Sequence, residues 1–126
     1  MNKEIFIEQS VVDSILSYAQ MCHPKESILL LKGKVERKKI LINEVQIPPF
    51  ATHGNTFSGF PLSTLPIDFS VIGVAHSHPS GALCPSTTDL NQFYGRIMVI
   101  IGYPYQTKKD LILLDRKGTQ LECTVI

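Results

Sequence analysis

The 126-residue chain has almost no excess charge, few cysteines and no long apolar run. Lys and Arg number 12 against 11 Asp and Glu, and a net charge of +1 offers no electrostatic basis for binding nucleic acid or a membrane surface. No apolar stretch approaches the roughly 20 residues that cross a bilayer, and the N-terminus has no secretory h-region. We therefore expect a cytoplasmic protein with neither nucleic-acid nor membrane partners.

The three cysteines, Cys22, Cys84 and Cys123, are widely spaced and form no CxxC pair. An odd number at such spacing argues against a disulfide framework, although a single bridge stays open. We interpret Cys84 as a loop residue rather than a metal ligand.

Composition and periodicity predict one compact domain over residues 1–126, with several strands and two helices. Ser10 is the predicted N-cap of the first helix, with Asp13 as its capping-box partner, and Pro24 should end that helix. One face of this helix should be buried: Val11, Val12, Ile15, Leu16 and Ala19. We expect strands at residues 4–7, 27–31, 39–47, 56–58, 70–75, 97–101, 111–114 and 120–125, and a second helix at 86–94. The last two strands should form a hairpin, and residues 48–66 a long loop that lines a substrate groove.

Two histidines follow an apolar segment, residues 71–75, which indicates a strand buried on both faces. His76 and His78 share one face if the strand continues, because side chains alternate with period two. After a loop rich in Pro, Gly and Ser, Asp89 falls in the first turn of the predicted second helix. Two imidazoles and one carboxylate leave a fourth position for water, which is typical of a catalytic zinc site.

Two structural histidines without a metal remain the alternative at this stage, because an isolated His-x-His pattern is not specific. Other zinc signatures are absent from the sequence. There is no HExxH helix, and the deaminase pattern fails because His78 stands where a glutamate is needed and Cys84-Pro85 has no second cysteine. We interpret His23 as a structural residue at the helix end and His53 as an exposed loop residue.

Hydrolysis at such a site also needs a base and a donor for the developing oxyanion. Ser86, three residues before Asp89, is placed to cap the second helix with its hydroxyl near the metal. Glu26 is the candidate base, since it starts an apolar strand where a carboxylate is costly without a partner or a purpose. From the residues alone the identity of the base stays open.

These residues resemble a known motif. His76-Ser77-His78, seven residues, Ser86, two residues and Asp89 match the pattern of the JAMM (MPN+) metalloproteases. Pro24-Lys25-Glu26 and the apolar run that ends near Gly33 resemble the upstream glutamate segment of the same family. The resemblance covers nearly the whole chain.

The resemblance implies an α+β fold, a single MPN-like (cytidine-deaminase-like) domain with a curved mixed β-sheet flanked by helices. It implies one Zn2+ per chain, with His76, His78 and Asp89 as ligands. Glu26 would be the general acid/base and Ser86 the hydroxyl that stabilises the oxyanion.

The implied activity is that of a zinc-dependent isopeptidase or peptidase that cleaves after the C-terminal Gly-Gly of ubiquitin-like modifier proteins. The chain resembles minimal archaeal and bacterial members, since it is too compact to hold the insertions of linkage-specific deubiquitinating enzymes. Two alternatives stay open: a peptidase that processes a ubiquitin-fold sulfur-carrier protein, and a non-catalytic MPN scaffold. Ser77, between the two histidines, is expected to be structural.

Overall fold

The computed structural model describes residues 3–48, 70–91 and 93–126. Its elements in chain order are β1 (Glu4–Ile7), α1 (Gln9–Cys22), β2 (Ile28–Val35), β3 (Lys39–Gln46), β4 (Val71–His78), α2 (Thr87–Asn91), β5 (Ile97–Gly102), a 3-10 turn (Lys108–Asp110), β6 (Leu111–Leu114), β7 (Gln120–Leu121) and β8 (Thr124–Val125). The described strands form one mixed sheet in the order β7-β6-β5-β4-β2-β3-β1-β8. The pairs β1–β3, β1–β8 and β4–β5 are parallel, and the others are antiparallel.

The sheet curls so strongly that its two edges approach each other. Strands β7 and β8 lie at opposite ends of the strand order, yet only Glu122 and Cys123 separate them along the chain. Three successive Cα–Cα steps span at most ~11 Å, so the two edges must be near neighbours. The α+β fold with a curved mixed sheet is therefore confirmed.

The predicted C-terminal hairpin is only half right. Leu113 pairs with Leu121 as expected, but Val125 leaves that hairpin and pairs in parallel with Ile7. The backbone N–H of Ile126 donates to Ile7 O, and the N–H of Gln9 donates to Ile126 O. The strand predicted over residues 120–125 is thus divided between the two edges, because β1 offers an unpaired backbone edge that the chain end can reach.

Helix α1 packs on one face of the sheet through the predicted stripe. Val11, Val12, Ile15, Leu16 and Ala19 are all buried. A second apolar cluster, with Leu30, Val74, Met98, Ile100 and Leu114 at its centre, lies apart from the one that contains α1. Strand β5 contributes to both clusters and all six of its residues are buried, which is why it is almost wholly apolar.

The predicted N-cap at Ser10 is wrong. The helix begins at Gln9, and Glu8 is the N-cap without a side-chain capping bond. Strand β1 runs directly into the helix, and the N–H of Glu8 donates to Ile42 O, which fixes the helix start earlier than the Ser10 pattern suggested. Ser10 instead uses its carbonyl to accept a bond from the Ser14 hydroxyl, 2.8 Å away. The helix ends at Cys22, before Pro24, as predicted.

Other boundaries differ in length rather than in kind. Strand β2 continues to Val35, β4 continues through His78, and α2 is only five residues long. The strand predicted over residues 56–58, the groove wall after Pro48 and His53 lie outside the described residues. In the described ranges, no helix has the length and apolar character needed to cross a membrane.

Candidate metal centre

Both histidines of the motif lie on β4, because that strand continues to His78. His76 is fully buried and pairs with Ile28 of β2 and Ile100 of β5, while His78 is half-buried at the strand end. The alternation of side chains along the strand directs both imidazoles to one face, with ring centroids 5.0 Å apart. The sequence prediction that the two histidines share a face is confirmed.

Asp89 is brought to the histidines by the first turn of α2. The Ser86 hydroxyl accepts a bond from the Asp89 N–H at 3.0 Å, and Asp89 Oδ2 accepts one from the Ser86 N–H at 2.7 Å. This reciprocal capping pair confirms Ser86 as the N-cap and fixes the direction of the carboxylate. Asp89 Oδ1 lies 3.6 Å from His76 Nε2, and Oδ2 lies 3.2 Å from His78 Nε2. One ligand atom from each residue lies within 4.8 Å of the others.

The hydrogen bonding of His78 leaves its Nε2 directed at Asp89 and available to a metal ion. Its Nδ1 lies 2.9 Å from the carbonyl oxygen of Ala82, which can only accept, so Nδ1 carries a proton. In the neutral ring Nε2 then has a lone pair, and that lone pair faces the Asp89 carboxylate. Two facing lone pairs are stable only with a proton or a metal ion between them. The donor set therefore fits a metal ion.

The pKa values of the three side chains set their protonation states, and those of His76 and Asp89 favour metal binding. Burial lowers the pKa of His76 to about 4, despite the opposing effect of Asp89. The hydrogen bond to Asp89 is the main reason that the pKa of His78 is raised. Burial acts to raise the pKa of Asp89, but hydrogen bonds from His78 and Ser86 and the charge of His76 lower it to about 2. At neutral pH, His76 is thus a neutral donor and Asp89 is an ionised one, as metal binding requires.

A cavity of about 400 Å3 opens beside these ligands. Its wall includes Glu26, His78, Ser86 and Asp89, together with Cys84, which is exposed. Glu26 is half-buried, and its charge acts on His78. The structure therefore brings the predicted base, the predicted hydroxyl and two predicted ligands to one cavity, with the third ligand, His76, buried behind them. No disulfide joins Cys22, Cys84 or Cys123.

Glu26 reaches this cavity because its segment is held from both sides. On one side, the backbone N–H and the hydroxyl of Ser27 both donate to Ser77 Oγ, at 2.8 and 3.0 Å. On the other side, His23 Nδ1 lies 2.8 Å from the Tyr105 hydroxyl, and its ring stacks on Tyr103 at 4.9 Å. The predicted structural role of Ser77 and of His23 agrees with these contacts.

Sequence reasoning missed two neighbours of the site. No sequence pattern indicated Tyr103, which is 55% exposed and stacks on the ring of His23. Met98 was not singled out, yet its sulfur lies 3.3 Å from His76 Nε2. In the sequence, Met98 is only one residue in the apolar run of β5. The pairing of β4 with β5 is what places it on the same face of the sheet as the histidines.

Fold and site together define an α+β domain with an open metal-binding cluster of two histidines and one aspartate. The sequence profile for prokaryotic homologs of the JAB domain matches residues 8–112. The chain therefore belongs to this JAB-domain family, also known as JAMM/MPN.

Relatives agree with this assignment. A "probable metalloprotease" of Haloferax volcanii is 36% identical over 107 residues, a match that spans 79% of this chain and 66%, just under two thirds, of that protein. A crystal structure of a JAB1/MPN domain protein from Archaeoglobus fulgidus is similar with a TM-score of 0.71 and 29% identity, over 95% of this chain and 97% of that one. A second structure is described as JAMM, a metalloprotease-like zinc site in the proteasome and signalosome. It is similar with a TM-score of 0.69 and 27% identity, over 98% of this chain and 99% of that one.

Proposed function

We propose that the protein is a zinc-dependent peptidase that hydrolyses the bond after the C-terminal Gly-Gly of a ubiquitin-like protein, including isopeptide bonds to lysine. The observation that carries this proposal is the cavity shared by Glu26, His78, Ser86 and Asp89. In it, a carboxylate and a hydroxyl face a metal-binding cluster. Such a set is suited to hydrolysis of an amide bond.

His76, His78 and Asp89 would hold one zinc ion per chain. When bound, the ion supplies Lewis-acid polarisation of a carbonyl group and acidifies water. Glu26, on the cavity wall, takes the proton from the attacking water and later returns it to the leaving amine. The Ser86 hydroxyl accepts from the Asp89 N–H, so its own hydrogen can be donated to the developing oxyanion.

The choice of ion and of reaction rests on different observations. Three N and O donors next to an open cavity suit zinc in a catalytic site, and the solved relative described as a zinc site supports the same ion. The relative named a probable metalloprotease supports cleavage of peptide bonds. The proposal that the substrate ends in Gly-Gly rests on the resemblance to the JAMM proteases, whose minimal members act on ubiquitin-fold proteins.

The test is a cleavage assay with a defined substrate. Protein loaded with one equivalent of zinc is incubated with a ubiquitin-like protein joined through Gly-Gly to a lysine side chain, with and without a chelator. We expect cleavage that the chelator abolishes and added zinc restores. A substrate that ends in Gly-Gly followed by one amino acid tests the alternative, the processing of a sulfur-carrier protein.

Glu26→Gln is the matched control, because it preserves the size of the side chain and removes its basicity. We expect this variant to bind zinc as the unmodified protein does and to cleave at a rate reduced by about 10²–10⁴-fold. Loss of zinc together with activity would contradict the assigned role of Glu26. Zinc binding without cleavage of any substrate would favour the non-catalytic scaffold.

A further inference from the structure

The thioether of Met98 lies against the metal-binding cluster. Met98 is on β5, opposite Val74 of β4, and it is fully buried. Its sulfur is 3.3 Å from His76 Nε2, the atom that also faces Asp89 Oδ1 at 3.6 Å. A carboxylate oxygen and a thioether sulfur therefore lie close to the same imidazole nitrogen.

The separation of the Met98 sulfur from His76 Nε2 is compatible with two ligand atoms on one ion. With metal–ligand bonds of about 2.0–2.3 Å in a tetrahedron, neighbouring donor atoms lie about 3.3 to 3.8 Å apart. The Met98 sulfur meets that spacing from His76 Nε2 as well as the Asp89 oxygens meet theirs from the two imidazoles.

We infer that Met98 supplies a thioether donor to this centre, so that the centre also accepts monovalent copper through His76, His78 and Met98. Thioether and imidazole ligands both suit monovalent copper, whereas a carboxylate suits harder ions. The same pocket thus offers two donor sets that share the imidazoles: a harder one completed by Asp89 and a softer one completed by Met98. The inference rests on the proposed metal centre and does not require peptidase activity.

The test measures the affinity for each ion in Met98→Leu, a substitution that nearly conserves volume. Monovalent copper is supplied without oxygen as its complex with bicinchoninate, whose colour reports transfer to the protein, and zinc is measured with a chromophoric chelator. We expect the affinity for copper to fall about tenfold or more and the affinity for zinc to change by less than about threefold. Met21→Leu is the matched control, since Met21 is 80% exposed, and it should alter neither affinity.

A second measurement observes Met98 directly in the unmodified protein and uses Met98→Leu only to assign its resonance. In protein labelled with [methyl-¹³C]methionine, monovalent copper should shift the resonance that is absent from the Met98→Leu spectrum and leave that of Met21 in place. Equal affinity for copper in Met98→Leu, or an unmoved Met98 resonance, overturns the inference.

Cys84 is the competing soft ligand, because its thiol is exposed in the same cavity. Cys84→Ser is therefore measured in parallel. A loss of copper affinity in Cys84→Ser with no loss in Met98→Leu overturns the inference and assigns the copper to the thiol. Failure of the unmodified protein to bind zinc would instead count against the proposed function, so the two failures are distinct.

Discussion

The hydroxyl of Ser77 accepts two hydrogen bonds from Ser27, one from the backbone N–H at 2.8 Å and one from the side chain at 3.0 Å. Ser77 lies between His76 and His78, the proposed metal ligands, and Ser27 directly follows Glu26. The Ser77 N–H also donates to Ser27 O at 3.1 Å. One buried serine pair thus joins the strand that carries the ligands to the segment that carries the proposed base.

Replacing Ser77 should lower the rate of cleavage more than the affinity for zinc. Ser77→Ala leaves the buried Ser27 N–H without this acceptor, so the free energy of unfolding should fall by about 1–3 kcal/mol. The rate of cleavage should fall because Glu26 is less well positioned, while the affinity for zinc changes much less. Denaturant unfolding, steady-state kinetics and chelator competition measure the three quantities.

Ser27→Ala is the control for that prediction, since it removes the hydroxyl but keeps the backbone bond to Ser77. Its effects should be smaller than those of Ser77→Ala. An equal or larger effect of Ser27→Ala on the cleavage rate would show that the backbone bond does not position Glu26.

Substitution of Ser86 should affect catalysis more than metal binding. Ser86→Ala removes the hydroxyl that caps α2, which costs about 1 kcal/mol of stability. It also removes the proposed donor to the oxyanion, and loss of such a donor lowers kcat about 10²–10³-fold. The Ser86 N–H still holds Asp89 Oδ2, so zinc affinity should be nearly preserved. Ser86→Thr, which keeps a hydroxyl, should retain more activity; equal loss in both variants would argue against the donor role.

Between pH 4 and pH 8, the slope of zinc affinity against pH should change once, at the pKa of His78. The raised pKa of His78 means that zinc must displace a proton from this ring below that pKa, so affinity falls about tenfold per pH unit. Because the pKa of His76 is lowered to about 4, a second proton competes only below that value. The pKa of Asp89, about 2, keeps the carboxylate ionised throughout. Chelator competition over pH 4–8 checks this; a slope of two protons near pH 6 would contradict it.

The bond between Tyr105 and His23 should support Glu26 from its other side. Tyr105→Phe removes the hydroxyl that lies 2.8 Å from His23 Nδ1 and should lower the free energy of unfolding by about 0.5–1.5 kcal/mol. We expect a lower kcat with unchanged zinc affinity, measured by kinetics and chelator competition. Tyr103→Phe keeps the ring that stacks on His23 and should behave like the unmodified protein. Unchanged kcat in Tyr105→Phe would show that this bond has no role in positioning Glu26.

Gly73 permits the close approach of β4, the strand that carries both histidines, to β5. A Cβ at Gly73 would lie 1.7 Å from Ile97 O, and backbone atoms cannot move away without separating β4 from β5. Gly73→Ala should therefore cost more than the 1–3 kcal/mol typical of overpacking, visible as a large drop in Tm. Gly118→Ala is a contrasting case, since its φ is +81° but its nearest neighbour is 3.6 Å away, and it should cost only about 1–2 kcal/mol. A Gly73→Ala protein as stable as Gly118→Ala would contradict this packing.

The sequence alone determined the features that follow from local backbone geometry. Side-chain alternation along a strand is fixed by the pleat, so His76 and His78 had to share a face once β4 was long enough. Capping geometry likewise linked Ser86 to Asp89 across three residues. The ligand set and the buried stripe of α1 could therefore be predicted without coordinates. Ser10 shows the limit of local reasoning, since the bond from Glu8 to Ile42 O moved the helix start.

Tertiary structure decided which distant segments meet. The antiparallel pairing of β2 with β4 places Glu26 at the cavity, and the parallel pairing of β4 with β5 places Met98 against His76. The division of the C-terminal strand between two sheet edges arises in the same way. Strand partners and register depend on the packing of the whole sheet, because every apolar strand has the same backbone donors and acceptors to offer. No local pattern in the sequence distinguishes one such partner from another.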